Sequence, residues 1–159
     1  MKSLPFSNNK LVQAELPGVS LVDEALEKLA TSGVEERGAV FTRREVVEFM
    51  LDLAGYTANR RLFEMSLLEP SFGDGDFLFP VVDRLLASVR QHHVSLKAPL
   101  ITQVLEPCLR AVELHRESYN AIFARLVAHL EENGLDRDVD RAICDAWLIS
   151  GDFLLTRFN

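Results

Sequence analysis

The sequence predicts an α/β fold built on a parallel sheet, and two observations carry that expectation. Three short apolar runs, at 66–68, 109–114 and 147–149, read as strands, and helical apolar spacing fills the stretches between them. Helix, helix, then strand, helix, strand, helix, strand is the order that crossover helices impose on parallel strands.

The elements follow in order. A helix is expected over 21–31: Ser20 can accept a backbone N–H at its start, Leu21, Val22, Ala25, Leu26 and Leu29 share one side, and Gly33 stands beyond its end. Thr42 is the expected N-cap of a second helix over 43–54, with Val46, Val47, Met50, Leu51 and Ala54 inward and Gly55 as terminator. After the first strand, Glu69-Pro70-Ser71-Phe72-Gly73-Asp74-Gly75 cannot be helical and must be a tight loop. Leu78, Val81, Val82, Leu85, Leu86 and Val89 then mark a third helix from about Asp76 to His92, which tolerates Pro80 because it falls near the first turn. Residues 101–105 add a short helical piece before the second strand. A long helix over 116–133 carries Ile122, Leu126, Val127 and Leu130 on its inner side, with Gly134 as terminator. Residues 138–146 are weakly helical, and the third strand leads into Gly151-Asp152-Phe153-Leu154-Leu155.

Composition bounds the possibilities. With 159 residues, 48% of them apolar, the chain has the material for one domain with its own core, which excludes wholesale disorder. Stretch 1–37 reads as a helical leader packing as one unit with a domain over 38–159. Seventeen basic against 24 acidic residues leave a net charge of −7, an unfavourable balance for gripping DNA or RNA over the whole surface. Cys108 and Cys144 follow no metal-ligand or C-x-x-C spacing, so no metal site is expected, and small buried thiols in a reducing cytoplasm fit them best. No run approaches the ~20 apolar residues of a membrane span, and the first ten residues lack the apolar core of a secretory signal. Trp147 reads as core, His115 and His129 as surface residues, and Arg43-Arg44 and Arg60-Arg61 as solvated charges.

In open α/β sheets a ligand binds beyond the carboxyl ends of the strands. An acidic residue follows or closes each strand: Glu69 with the Gly73-Asp74-Gly75 turn, Glu113, and Asp152. Gly73 and Gly75 let the backbone approach a ligand, Glu113 can accept from the two hydroxyls of a ribose, and Asp152 can accept from the exocyclic amine of a purine. The loop lacks the third glycine of G-x-G-x-x-G, and Asp74 and Asp76 repel a pyrophosphate. The same acids suit a phosphate-free, cationic nucleoside such as S-adenosylmethionine.

These residues have a familiar arrangement. Leu67-Leu68-Glu69-Pro70-Ser71-Phe72-Gly73-Asp74-Gly75-Asp76-Phe77-Leu78 resembles the S-adenosylmethionine-binding motif of N6-adenine DNA methyltransferases. Gly38-Ala39-Val40-Phe41-Thr42, leading into Glu45-Val46-Val47-Glu48-Phe49-Met50, is similar to the family's N-terminal motif over the methionine end of the cofactor, although Arg43 stands where the family has proline. Ala111-Val112-Glu113-Leu114 is similar to the ribose-binding strand, and Gly151-Asp152-Phe153-Leu154-Leu155 to the adenine-binding segment. The order is that of the gamma-type enzymes, which include restriction-modification and phage-defence methylases.

The resemblance implies part of a Rossmann-like, S-adenosylmethionine-dependent methyltransferase fold, with about three of its parallel strands and N-terminal helices before them. It implies a cofactor site of Phe41, Thr42, Glu69, Pro70, Ser71, Gly73, Gly75, Glu113, Leu114, Asp152 and Phe153. The family's catalytic motif, Asn-Pro-Pro-Tyr or a near relative, does not occur in these 159 residues, so no catalytic residue is assigned. The expected function is the cofactor-binding N-terminal portion of a site-specific adenine-N6 DNA methyltransferase. DNA would be the partner of the complete enzyme, and this portion alone should bind little of it and be inactive. Two alternatives stand beside this: a non-catalytic split or decayed module that pairs with another chain through an open sheet edge, or part of an RNA or protein methyltransferase, because cofactor motifs do not report the acceptor.

Overall fold

A computed structural model describes residues 42–158 of the chain. The helix expected over 21–31, and Gly38 to Phe41 of the N-terminal motif, lie outside the described residues.

Among the described residues five α-helices and three strands follow one another: α1 (Arg44–Leu53), β1 (Leu67–Glu69), α2 (Leu78–Gln91), α3 (Leu100–Leu105), β2 (Leu109–Glu113), α4 (Arg116–Glu132), α5 (Arg137–Trp147) and β3 (Leu148–Ser150). The strands form one sheet in the order β1-β2-β3. Both pairings are parallel, as the alternation of strands and helices predicts, with Glu69 level with Ala111 and Glu113 level with Ser150. The central strand β2 is buried along almost its whole length, whereas the edge strands are partly open. α2 and α4 bury the faces read from sequence: Leu78, Val81, Val82, Leu85, Leu86 and Val89 on α2, and Ile122, Leu126 and Leu130 on α4. Trp147 and both cysteines lie in the same core, and the Trp147 indole donates to the Leu105 carbonyl at 2.9 Å.

The structure corrects several local expectations. β1 is shifted one residue later than read, to Leu67–Glu69, and the Ser66 hydroxyl before it donates to the Pro107 carbonyl at 2.7 Å. β2 stops at Glu113, whose own carboxylate accepts the His115 N–H at 2.8 Å and turns the chain, so Leu114 lies outside the strand. Trp147 closes α5 and does not open β3.

Thr42 does not cap α1. Arg43, with extended backbone (φ −57°, ψ 141°), occupies the capping position, and its carbonyl accepts the Val46 and Val47 N–H groups. From one residue further out, the Thr42 hydroxyl is not at the position from which a side chain caps the first turn. α1 is also turned differently from the expectation. Val47 and Leu51 are buried, but Val46, Met50 and Ala54 face out. The inward side is completed instead by Glu48 and Asp52, whose carboxylates meet Arg84 of α2 at 2.6 and 2.7 Å. His129 is no free surface residue either: its Nε2 lies 2.7 Å from Asp83 Oδ1, and its ring stands edge-on to Phe79.

Candidate binding site at the carboxyl edge of the sheet

The parallel register places the carboxyl ends of all three strands along one edge. The loop after β1 curls toward β2: the Phe72 N–H donates to the Val112 carbonyl at 3.1 Å, the Gly73 N–H to Glu113 Oε2 at 2.8 Å, and the Gly75 N–H to the Phe72 carbonyl at 2.7 Å. Gly73 (φ 49°) and Gly75 (φ 88°) both take left-handed backbone, which the tight turn requires. At Gly75 there is a second reason, since a Cβ would stand 2.6 Å from the Phe79 ring; at Gly73 a Cβ would meet nothing within 4 Å.

Glu113 is the junction of this edge. Its side chain is 2% exposed, with Oε2 receiving Gly73 and Oε1 receiving the His115 N–H, while its carbonyl accepts the Gly151 N–H at 2.9 Å. One residue therefore ties the loop after β1 to the loop after β3. A buried carboxylate is tolerated here because backbone N–H groups satisfy both its oxygens.

Glu69, at the end of β1, is half-buried. Burial raises its carboxyl pKa, and the Ser71 N–H, 3.3 Å from Oε1, works in the opposite direction. Pro70 and Ser71 are exposed on the loop. On the β3 side, Asp152 is exposed and its Oδ1 accepts the Leu154 N–H at 2.9 Å, while its carbonyl receives the Thr156 hydroxyl at 2.7 Å. Phe153 lies half-buried against the Phe158 ring, 6.0 Å between centroids, and Leu114 projects from the end of β2 into solvent.

The fold thus gathers Glu69 to Gly75, Glu113, Leu114, Asp152 and Phe153 along one edge. Thr42 stands apart from most of them: it lines a cleft of about 480 Å³ together with Gly75, Asp76, Asp83, Arg125 and His129. That cleft touches the site through the loop at Asp74 and Gly75 but reaches neither Glu69, Glu113 nor Asp152. Phe41 lies outside the described residues.

Sequence reasoning missed Arg125, whose guanidinium donates to the Asp74 carbonyl at 3.0 Å and lies over the Phe79 ring at 4.7 Å. It braces the glycine turn from α4, and no local pattern announces a contact across 51 residues. Acids are exposed on the loops that follow the strands, Asp74 and Asp76 after β1 and Asp152 after β3. Such an edge favours a cationic or hydroxyl-bearing ligand over an anionic one. Among the described residues, no group of three His, Cys, Asp or Glu side chains could hold a metal ion.

The site defines a class, a parallel α/β sheet with ligand-type loops gathered at its carboxyl edge. Comparison with known proteins narrows it. The chain is 50% identical over 134 residues to the Type II methyltransferase M.PaeR7I of Pseudomonas aeruginosa, a match covering 82% of this chain and 22% of that protein. It is 44% identical over 121 residues to M.XhoI of Xanthomonas vasicola, covering 76% and 22%, and 38% identical over 118 residues to M.BstVI of Geobacillus stearothermophilus, covering 74% and 21%. No protein-family model matches the chain, and no solved structure matches it. The chain is thus similar to one segment of Type II methyltransferases, and it spans about a fifth of the length of the curated relatives it matches.

Proposed function

We propose that this chain is the S-adenosylmethionine-binding portion of a site-specific adenine-N6 DNA methyltransferase, of Rossmann-like fold. The observation that carries the reading is the buried Glu113 carboxylate, held at the end of β2 by the glycine loop of β1. Each of its oxygens receives one backbone N–H and keeps further acceptor capacity, which is what two ribose hydroxyls require. Gly75 keeps the loop close to Phe79, and no side chain could be added there without a clash. Asp152, exposed beside Phe153, supplies an acceptor for an exocyclic amine next to an apolar ring. The acidic rim suits a cationic cofactor and opposes a pyrophosphate.

Bound at this edge, S-adenosylmethionine supplies an electrophilic methyl group for direct attack by an adenine amine. The residues here orient the cofactor and do no acid–base work. The 159 residues contain no Asn-Pro-Pro-aromatic sequence to hold a flipped base, so the expected behaviour of the chain by itself is cofactor binding without methylation and with little affinity for DNA. DNA, in this reading, is the substrate of the longer enzyme, whose place is the cytoplasm.

Calorimetric titration with S-adenosylmethionine, with NAD as control, tests the reading: saturable binding of the first alone supports it. Glu113→Gln should then weaken binding by about 5- to 150-fold, corresponding to roughly 1–3 kcal/mol for a buried hydrogen-bonded group. Unchanged affinity in a variant of normal melting temperature removes Glu113 from the site.

A second reading rests on a separate observation. Among the described residues β1 is an edge strand, with Leu68 46% exposed, an arrangement that can accept another chain. A folded chain that binds no cofactor but self-associates in light scattering would favour this pairing role over the first.

A further inference from the structure

α1 presents its apolar side to the solvent. Val46, Phe49, Met50 and Leu53 recur at i, i+3, i+4 and i+7 and so form one stripe, and they are 46%, 60%, 48% and 72% exposed. The opposite side carries Val47, Glu48, Leu51 and Asp52 toward the body.

This orientation is held, not accidental. The Arg84 guanidinium donates to Glu48 at 2.6 and 3.0 Å, to Asp52 at 2.7 Å, and to the carbonyls of Glu48 and Tyr56 at 3.0 and 2.9 Å. Rolling α1 to bury the stripe would break the four bonds to Glu48 and Asp52 and strand a charged side chain that is only 15% exposed. The helix is anchored by the buried Val47 and Leu51 together with its charges, and it turns the Val46, Phe49, Met50 and Leu53 stripe outward.

We propose that this stripe is the docking surface for the remainder of the methyltransferase, received as an apolar helix face with a basic margin beside Glu45. The inference rests on the reading of the chain as part of a longer enzyme. Two observations select this occupant over a second copy. The matched relatives carry about four fifths of their length outside the shared segment, so there is ample chain to cover the face. The stripe offers roughly 400 Å² of apolar surface, about half of the ~800 Å² per partner that a stable association between separate molecules needs. A covalently continuous partner needs less, because its local concentration replaces the entropy lost when two free molecules combine. Glu45, exposed and four residues before Phe49, lies along one margin of the stripe and complements a basic residue there.

The test compares the 159-residue chain with a chimera in which it replaces the matched segment of M.PaeR7I. Phe49→Cys and Leu53→Cys variants of each are treated with a maleimide; the native Cys108 and Cys144 are buried and report unfolding if they react. Labelling about tenfold or more slower in the chimera is the expected result, since a covered thiol reacts only when the contact opens. A Phe49→Asp, Leu53→Asp variant should likewise lower the melting temperature of the chimera and leave that of the isolated chain unchanged. Equal labelling in the two proteins, equal effects of the Asp variant on both, or slow labelling already present in the isolated chain overturns the proposal. If that slow labelling depends on concentration, a second copy is the occupant. S-adenosylmethionine titrations on the same samples keep the two readings apart: lost cofactor binding with retained thiol protection rejects the cofactor reading alone.

Discussion

Gly73 and Gly75 lie two residues apart in one turn, yet substitution at them should differ. Both require positive φ, so Ala at either place is strained by about 1 kcal/mol or more. At Gly75 the new methyl would also meet the Phe79 ring and, at 3.2 Å, the Ile122 side chain. We expect Gly75→Ala to lose about 2–4 kcal/mol in denaturant unfolding and Gly73→Ala about 1 kcal/mol. Equal losses would mean that the turn relaxes away from α2. Asp140 is a different kind of residue. It has no exposed surface, and neither carboxyl oxygen has a hydrogen-bond partner among the described residues. Burial, then the nearby Glu131 and Asp136 carboxylates, push its pKa up from 3.8 to about 6. The folded state therefore binds this proton more tightly than the unfolded one, and stability is lost as pH rises from about 4 through 6. Asp140→Asn should remove that slope and gain roughly 1–2 kcal/mol at pH 7, read from melting curves across this range. A slope that persists in the variant assigns the pH dependence to other groups.

At the scale of elements, α1 shows how a charged face can hold a helix in place. Its periodicity was legible in the sequence, but the side that faces inward was not. Val46 and Met50 on one side compete with Val47 and Leu51 on the other, and Arg84, thirty-two residues beyond Asp52, decides between them. Arg84→Met should cost about 2–4 kcal/mol, because Glu48, Asp52 and two carbonyls lose a shared donor. Hydrogen exchange should locate the loss in α1 while α2 and α4 keep their protection. Uniform loss of protection would show that α1 is part of the central cooperative unit. α2 and α4 illustrate the opposite case: each faces a nearly continuous apolar core, so its buried side follows directly from the spacing of Leu, Val and Ile.

For the molecule as a whole, the sheet order brings distant residues to one edge. Glu69, Glu113 and Asp152 are far apart in sequence, and parallel register with β2 in the middle makes them neighbours at the strand ends. The same order leaves β1 as an edge, which is the feature behind the pairing reading.

The chain's amino acids alone determined its α/β class, its strand and helix positions to within about two residues over the described stretch, its buried thiols and tryptophan, and its likeness to methyltransferases. These depend on local spacing and turn chemistry, which act over a few residues and leave a readable period. Tertiary structure alone decided that Glu113 fastens the glycine loop, that Arg125 braces it from α4, that His129 meets Asp83, and that α1 turns its apolar side outward. Each of those outcomes is a hydrogen bond or ion pair across some 30–50 residues, made by polar side chains that satisfy one another once the apolar core has set the elements in place.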